Sequence, residues 1–288
     1  MKFCLKCGSS ALNSEWLCSS CGKKPETING FLAFAPDLAE VNDGFRPERF
    51  LKLSELEKNN FWFYSRNILI TWALNHYFPN AKNFLEIGCG TGFVLSGIGN
   101  SIPHIDLSGS EIFTGGLSIV RQRLKKANLY QMDARNIPFK DEFDLIGAFD
   151  VLEHIKEDEL VINQICKATN NSGGIIITVP QHPWLWSDVD ERACHKRRYT
   201  AKEIRYKVEQ AGFKVVRMTS FISLLLPLMI ISRLREKRYN SLEDVNCELK
   251  VNRFLNYFFK MALSIERCLI KLGVSLPFGG SLLLIAKK

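Results

Sequence analysis

The chain has 288 residues, of which 46% are hydrophobic and 24% are charged, and its formal net charge is +8. This composition is typical of a globular protein and excludes a disordered or collagen-like chain. No apolar export signal follows Met1, and no apolar run reaches the ~18 residues of a membrane span. The nine cysteines are therefore expected to be reduced thiols or metal ligands in a cytoplasmic protein.

Two Cys-x-x-Cys pairs stand near the N-terminus, and a glycine follows each pair. Four thiolates at this spacing favour a closed, structural Zn²⁺ site, and the proposed ligands are Cys4, Cys7, Cys18 and Cys21. A redox role for one pair is the alternative, but two pairs so close together favour a metal. The pattern resembles a zinc ribbon, which would occupy residues 1–24.

Residues 25–58 are interrupted by proline and glycine, so we interpret them as a linker. A helix is then predicted from Asn60 to about Tyr77, and its opening stretch is rich in aromatic residues and contains Arg66. These side chains either cover a pocket or belong to the core and the surface.

The most informative segment is Leu85–Gly92, with the sequence LEIGCGTG. An apolar strand runs here into three glycines at alternate positions, and Phe93 opens a helix. Glycines at a strand-to-helix turn allow a sharp bend and close approach of a ligand to the backbone. The spacing is not the G-x-G-x-x-G of a dinucleotide fingerprint, because Phe93 occupies the last glycine position.

Further strands and helices alternate along the chain. Strands are predicted at 105–111, 129–134, 143–150, 174–180, 213–221 and 281–287, with helices at 114–126 and 157–169. This alternation predicts a parallel sheet with helices on both faces. Acidic residues end three of these strands: Glu111, Asp133 and Asp150.

The ordered set LEIGCGTG, GSEIF, MDA, FDVLEH and IIITVPQ resembles the class I S-adenosylmethionine (SAM) methyltransferases across about residues 60–221. The resemblance implies an α/β fold with a doubly wound, mostly parallel seven-stranded sheet over residues 59–288. It also implies SAM as cofactor and a set of binding residues: Arg66, Glu86, Gly88, Cys89, Gly90, Gly92, Glu111, Asp133, Ala134 and Asp150.

The resemblance assigns a part of SAM to each group. Glu86 and the glycines would line the methionine end, Glu111 the ribose, Asp133 the adenine, and Asp150 the sulfonium side. Local structural roles are the alternatives: Glu86 would accept backbone N–H groups, and Asp133 would cap a helix or form an Asx-turn.

The acceptor side of the site is expected at the carboxyl ends of the strands, where His154 and His182 lie. Methyl transfer is an in-line displacement, and an oxygen or nitrogen acceptor can require a general base. Histidine has a suitable pKa for that role, so His182 is the first candidate and His154 the second. The alternative for each is a hydrogen bond within a strand-end loop.

The whole excess of positive charge lies in residues 213–288, which contain 13 Lys and Arg against 5 Asp and Glu. Residues 222–280 form an insertion between the last two strands, and they combine apolar runs with basic residues such as Arg233, Arg235, Lys237 and Arg238. The insertion is predicted to contact a membrane surface, on its cytoplasmic side, without spanning it. The alternative is a helical lid packed on the core or on a partner subunit.

Three functions remain open at this point. The first is a methyltransferase that acts on a small-molecule or lipid-linked acceptor. The second is an RNA methyltransferase that uses the ribbon and a basic surface, although residues 1–24 hold few net charges and the basic segment is aliphatic. The third is a non-catalytic SAM-binding or scaffolding protein.

Overall fold

The computed structural model describes residues 1–40, 48–236 and 251–288. Its strands are β1 Glu26–Ile28, β2 Phe31–Ala33, β3 Asn83–Ile87, β4 Asp106–Glu111, β5 Asn128–Gln131, β6 Phe143–Phe149, β7 Thr169–Pro180, β8 Lys214–Phe221 and β9 Ser281–Lys287. They form one mixed sheet in the order β1-β2-β5-β4-β3-β6-β7-β9-β8. Pairs from β2 to β7 are parallel, whereas β1, β9 and β8 pair antiparallel with their neighbours.

The helices of the described residues are α1 Glu48–Glu57, α2 Phe61–Tyr77, α3 Phe93–Ser101, α4 Thr114–Arg123, α5 Asp158–Ala168, α6 Asp188–Arg192, α7 Ala201–Gln210, α8 Leu226–Glu236 and α9 Arg253–Lys271. Successive residues of a strand point to opposite faces of the sheet. Apolar strand residues therefore lie on both faces, and helices pack against each face. Phe84 packs in the core beneath α2, α3 and α9, whereas Leu85 packs in the core beneath α5 and α7.

The sheet corrects one expectation, because it has nine strands in the described residues and not seven. Seven of them, β3 to β9, are the strands that the sequence predicts. The other two come from residues 26–33 of the segment interpreted as a linker, and β2 extends the sheet by pairing parallel with β5. A hairpin of two three-residue strands carries almost no periodicity, so the sequence pattern could not identify it.

The four N-terminal cysteines belong to a small unit that is fixed to the edge of the sheet. Trp16, only 4% exposed, makes edge-to-face contacts with Phe34, Tyr130 and Phe139. The backbone N–H of Phe3 donates to the carbonyl of Pro138 at 3.1 Å. This unit therefore shares its apolar core with the large sheet.

The insertion between β8 and β9 forms α8 and α9, as the amphipathic pattern predicts. Glu266 on α9 anchors the start of this segment, because its carboxylate accepts the backbone N–H groups of Ile222, Ser223 and Leu224. Lys237 and Arg238 lie outside the described residues, as does the side chain of Arg235. None of the described helices is long and apolar enough to cross a bilayer.

Candidate functional site

A cavity of about 1020 Å³ opens at the carboxyl ends of the central parallel strands. Of the ten predicted cofactor residues, only Gly92 does not line this cavity. The nine that do are Arg66, Glu86, Gly88, Cys89, Gly90, Glu111, Asp133, Ala134 and Asp150. His154 also lines the cavity. Strand ends that are adjacent in the sheet therefore gather side chains from a long stretch of sequence at one place, as expected for a doubly wound fold.

The glycine-rich turn forms one wall of the cavity, and its three glycines have positive φ angles of 64°, 53° and 73°. A Cβ on Gly88 would lie 2.5 Å from Val151 Cγ2, and one on Gly92 would lie 2.9 Å from Val120 Cγ1. No atom described in the structure lies within 4 Å of the Cβ position at Gly90. Gly88 and Gly92 thus permit tight packing, whereas Gly90 leaves its backbone open to a ligand.

Glu111, at the end of β4, connects this turn to the next strand. Its Oε2 accepts the backbone N–H of Gly90 at 2.9 Å, and its Oε1 accepts that of Ile112 at 2.8 Å. Burial raises the pKa of Glu111, and these N–H donors oppose that rise. These hydrogen bonds fix the Glu111 carboxylate in the wall of the cavity.

Glu86 and Arg66 lie further along the same wall. Glu86 is 3% exposed, and its Oε2 accepts no hydrogen bond from the residues that the structure describes. Burial raises the pKa of Glu86 to about 8, although the nearby charge of Arg66 lowers it. Arg66 donates to Asp150 and lies over the ring of Trp62, 4.5 Å from its centroid.

Asp133, the predicted adenine contact, has the local role that was its alternative. It accepts the backbone N–H of Arg135 at 2.9 Å in an Asx-turn, and it pairs with the Arg135 guanidinium at 2.8 Å. Both residues nevertheless line the cavity. The local role and a ligand contact are therefore compatible at this position.

A second set of polar groups beside the glycine turn was missed by the sequence analysis. Glu57, at the end of α1, is 3% exposed, and its carboxylate accepts from Thr91 Oγ1 at 2.6 Å and from Arg123 Nη2 at 2.9 Å. Glu57 lies in the segment interpreted as a linker, whose sequence offers no motif. Only the tertiary fold brings it to the turn.

The structure separates the two predicted catalytic histidines. His154 lines the cavity, whereas His182 lies outside the cavity lining, with its ring 5.3 Å from Trp184 and 5.7 Å from Phe278 between centroids. The backbone of His182 has φ 64° in the turn after β7. Burial and the neighbouring Arg198 lower the pKa of His182.

A different histidine, His195, takes the place beside His154 in the cavity. The two rings are 4.9 Å apart, and His195 Nδ1 is 2.8 Å from Asp190 Oδ1. Burial alone would raise the pKa of Asp190, but hydrogen bonds from His195 and Arg198 lower it to about 2. In the sequence, His195 is one of several neighbouring basic residues. Only the folded structure, which brings it to Asp190, distinguishes it from them.

The four predicted zinc ligands lie close together in the N-terminal unit. Cys4 Sγ is 3.7 Å from Cys21 Sγ, and Cys7 Sγ is 3.6 Å from Cys18 Sγ. Gly8 and Gly22 have φ of 74° and 68°. The backbone N–H of each donates at 2.8 Å to the backbone carbonyl of the first cysteine of its pair, Cys4 or Cys18. Four ligands at Zn–S bonds of about 2.3 Å in a tetrahedron have sulfurs about 3.8 Å apart. The cysteine cluster therefore has the dimensions of a zinc site.

Known proteins share both the sequence pattern and the fold. A probable S-adenosylmethionine-dependent methyltransferase of Mycobacterium tuberculosis is 21% identical over 172 residues, 58% of this chain and 60% of that protein. Demethylmenaquinone methyltransferase of Thermotoga maritima is 26% identical over 99 residues, 34% of this chain and 43% of that protein. The matches thus span less than two thirds of these relatives.

A solved structure of Haemonchus contortus phosphoethanolamine N-methyltransferase 2 in complex with SAM has a TM-score of 0.58 at 16% identity. The match covers 86% of this chain and 58% of that chain, and it shows a common fold. Residues 57–218 match the family described as the methyltransferase domain. This match covers more than half of the chain, which therefore belongs to the methyltransferase domain family.

Proposed function

We propose that this enzyme transfers the methyl group of SAM to an oxygen or nitrogen atom of a small-molecule or lipid-linked acceptor. The observation that carries the proposal is one cavity lined by two unlike groups of residues. We call the lining formed by the glycine turn, Glu86 and Glu111 the glycine end, and the lining formed by His154 and His195 the histidine or acceptor end. A site with both ends can hold a donor and an acceptor together.

The residues at the glycine end fit SAM. The open backbone of Gly90 can approach the methionine portion, and the unpaired Oε2 of Glu86 can accept from its ammonium group. Glu111 offers a fixed carboxylate to the ribose hydroxyls, and Asp133 and Ala134 lie on the wall expected for adenine. Arg66 would pair with the SAM carboxylate or keep Asp150 in place beside the sulfonium.

SAM supplies a methyl group activated by a sulfonium. In the transfer, a bond forms between the acceptor atom and the methyl carbon, and the carbon–sulfur bond breaks. The electron pair of that bond stays on sulfur as a neutral thioether, and the proton of an O–H or N–H acceptor leaves to a base. His195, oriented by Asp190 and facing the cavity, is better placed for this proton than His182.

The acceptors named for the relatives differ, so the acceptor class rests on features of this chain. The insertion contributes the apolar side chains of Leu225, Leu228 and Met229 to the cavity wall. The insertion also presents an apolar face outward. This combination favours an acceptor with an apolar portion that is delivered from a lipid surface.

The outward face lies on α9 and repeats with helical spacing. Phe254, which is 90% exposed, is followed on the same side by Phe258, Met261 and Ile265. On the opposite side of α9, its second half is buried through Leu263, Glu266, Arg267 and Ile270. A helix with one face in the core and one apolar face in solvent is suited to lie on a bilayer.

In the sequence, Arg233 stands among the basic residues of the predicted membrane contact, but its side chain is turned toward the protein interior. Its guanidinium donates to the carbonyl of Leu185 and lies 3.6 Å from Asp190. Arg253, Lys260 and Lys271 on α9 are the better candidates for contacts with anionic head groups. Each contributes about 1 kcal/mol when it lies near such a surface.

The test of the proposed reaction is a radiolabelled-SAM assay against separate lipid, small-metabolite and RNA fractions. We expect label in the lipid or metabolite fraction. Label in the RNA fraction alone would instead support the RNA alternative. SAM binding without label in any fraction would favour a non-catalytic role.

The membrane contact has its own test, which is sedimentation with anionic vesicles across a salt series. We expect binding at low salt that weakens as salt rises and is lost in the variant Phe254→Ser, Phe258→Ser, Ile265→Ser. The matched control is Leu160→Ser, Tyr206→Ser, which removes exposed apolar groups from α5 and α7 on the other face of the sheet. Equal binding by both variants would contradict the assignment.

We further propose that the cysteine cluster holds one structural Zn²⁺. Closed four-cysteine sites stabilise small units that cannot bury a sufficient core, and they leave no position for a substrate. Elemental analysis should find about one zinc per chain, and Cys18→Ser should release it. A metal-free wild-type protein whose N-terminus resists protease would contradict the proposal.

A further inference from the structure

A group of three potential metal ligands lies at the acceptor end of the cavity, away from the N-terminal cysteines. Glu153, His154 and His195 each offer one ligand atom, and these atoms lie within 4.8 Å of one another. Two of the residues come from the 3₁₀ turn Leu152–His154 after β6, and the third follows α6. All three line the cavity.

Glu153 is the strongest sign that something is bound there. Its side chain is fully buried, yet neither carboxylate oxygen accepts a hydrogen bond within the described parts of the chain. A buried carboxylate without partners costs several kcal/mol, and such groups are retained where a ligand satisfies them. Across the cluster, His195 Nε2 lies 4.0 Å from Glu153 Oε1.

His195 is held as a metal-ligating histidine is held. Its Nδ1 lies at hydrogen-bond distance, 2.8 Å, from Asp190 Oδ1. Arg198 and the backbone N–H of Ser187 donate to the same carboxylate and hold Asp190 in place. A carboxylate on one ring nitrogen orients the other nitrogen toward the metal and increases its basicity. His195 Nε2 therefore points to the cluster.

We propose that Glu153, His154 and His195 form a binding site for a first-row divalent transition metal ion. Two imidazoles and one carboxylate suit ions such as Co²⁺, Fe²⁺ and Zn²⁺, and three protein ligands leave coordination positions open. Those positions face the cavity, where an acceptor oxygen would stand. The cation would also give the buried carboxylate of Glu153 a positively charged partner.

The role in catalysis rests on the proposed function. A cation at this position would hold an oxygen acceptor near the methyl group and favour loss of its proton to solvent water. His195 is then a metal ligand and not the base, and the acceptor is a hydroxyl compound. The metal site itself is independent of this role and is tested without turnover.

The experiment is a calorimetric titration of zinc-loaded protein with Co²⁺, with the absorption spectrum recorded in parallel. We expect one additional Co²⁺ per chain, with visible bands of nitrogen and oxygen ligands and without strong thiolate bands. Glu153→Gln and His195→Ala should weaken binding more than about tenfold, and the positioning variant Asp190→Asn by about 10- to 100-fold. The control His104→Ala removes an exposed histidine and should bind as the wild type does.

Thermal unfolding of each variant shows that its fold is intact. No Co²⁺ uptake beyond the cysteine site, or equal affinity in Glu153→Gln and wild type, would overturn the proposal. A parallel SAM titration separates the two claims. SAM binding without Co²⁺ binding removes the metal site alone, whereas Co²⁺ binding without SAM binding removes the proposed function alone.

Discussion

The two ends of the cavity are built in different ways. The glycine end is assembled mainly from residues 86–134, where consecutive strands end side by side in the sheet. The histidine end combines the turn after β6, the loop around α6 and the insertion after β8. Local chain order thus determines the first end, whereas distant tertiary contacts determine the second. The shape of the glycine end is set mainly by the backbone of the turn, whereas the histidine end is formed mainly by side chains.

The largest effect is expected at the histidine end. His195→Ala should reduce methyl incorporation by about 10²- to 10⁴-fold, because a positioned proton acceptor or metal ligand is lost. SAM affinity should change little, because His195 lies at the other end of the cavity. Radiolabel transfer to the active acceptor fraction and SAM calorimetry measure the two quantities separately.

His182→Ala is the direct comparison, since the sequence favours His182 and the structure favours His195. We expect a much smaller loss in His182→Ala than in His195→Ala, and none in the exposed-histidine control His104→Ala. The reverse order would show that the histidine end has been misassigned.

At the glycine end, Gly88→Ala should weaken SAM binding by about 10- to 100-fold. The added Cβ meets Val151 at 2.5 Å, and overpacking of this kind costs about 1–3 kcal/mol. Gly30→Ala is the matched control, because Gly30 also has a positive φ, 81°, but the described residues leave its Cβ position open. Equal losses in both variants would show that general strain, and not the shape of the turn, is responsible.

The same contrast explains what the sequence can predict. The strand periodicity, the pattern of Leu85–Gly92 and the acids at strand ends are local features, so they predict β3 to β9 and most of the lining at the glycine end of the cavity. Glu57 and Asp190 reach the cavity only through tertiary contacts, with Thr91 and with His195. His182 follows a strand end, as the sequence predicts, but it lies outside the cavity lining, and a positive φ of 64° in the turn after that strand has no signal in the sequence pattern.

A smaller effect concerns stability and pH. Burial raises the pKa of Glu86 to about 8, above the ~4.3 of an unfolded chain, so the folded state binds the proton more tightly. Its contribution to stability is therefore present at low pH and is lost as pH rises from about 4.3 to 8. The slope for one group is at most about 1.4 kcal/mol per pH unit.

Urea unfolding of the ligand-free protein between pH 5 and pH 8 measures this slope. Glu86→Gln should flatten the decline, whereas Glu209→Gln, which changes an exposed carboxylate on α7, should reproduce the wild-type curve. An unchanged slope in Glu86→Gln would mean that Glu86 is ionised in the folded protein.

The most direct test of the central claim, that the glycine end binds SAM, is calorimetry of SAM with wild type and Glu111→Gln. We predict one SAM per chain for the wild type. Affinity should fall by about 10- to 100-fold in the variant, because a hydrogen bond to a charged acceptor contributes about 1.5–3 kcal/mol. The absence of SAM binding to the wild type, or equal affinity in Glu111→Gln, would contradict the account.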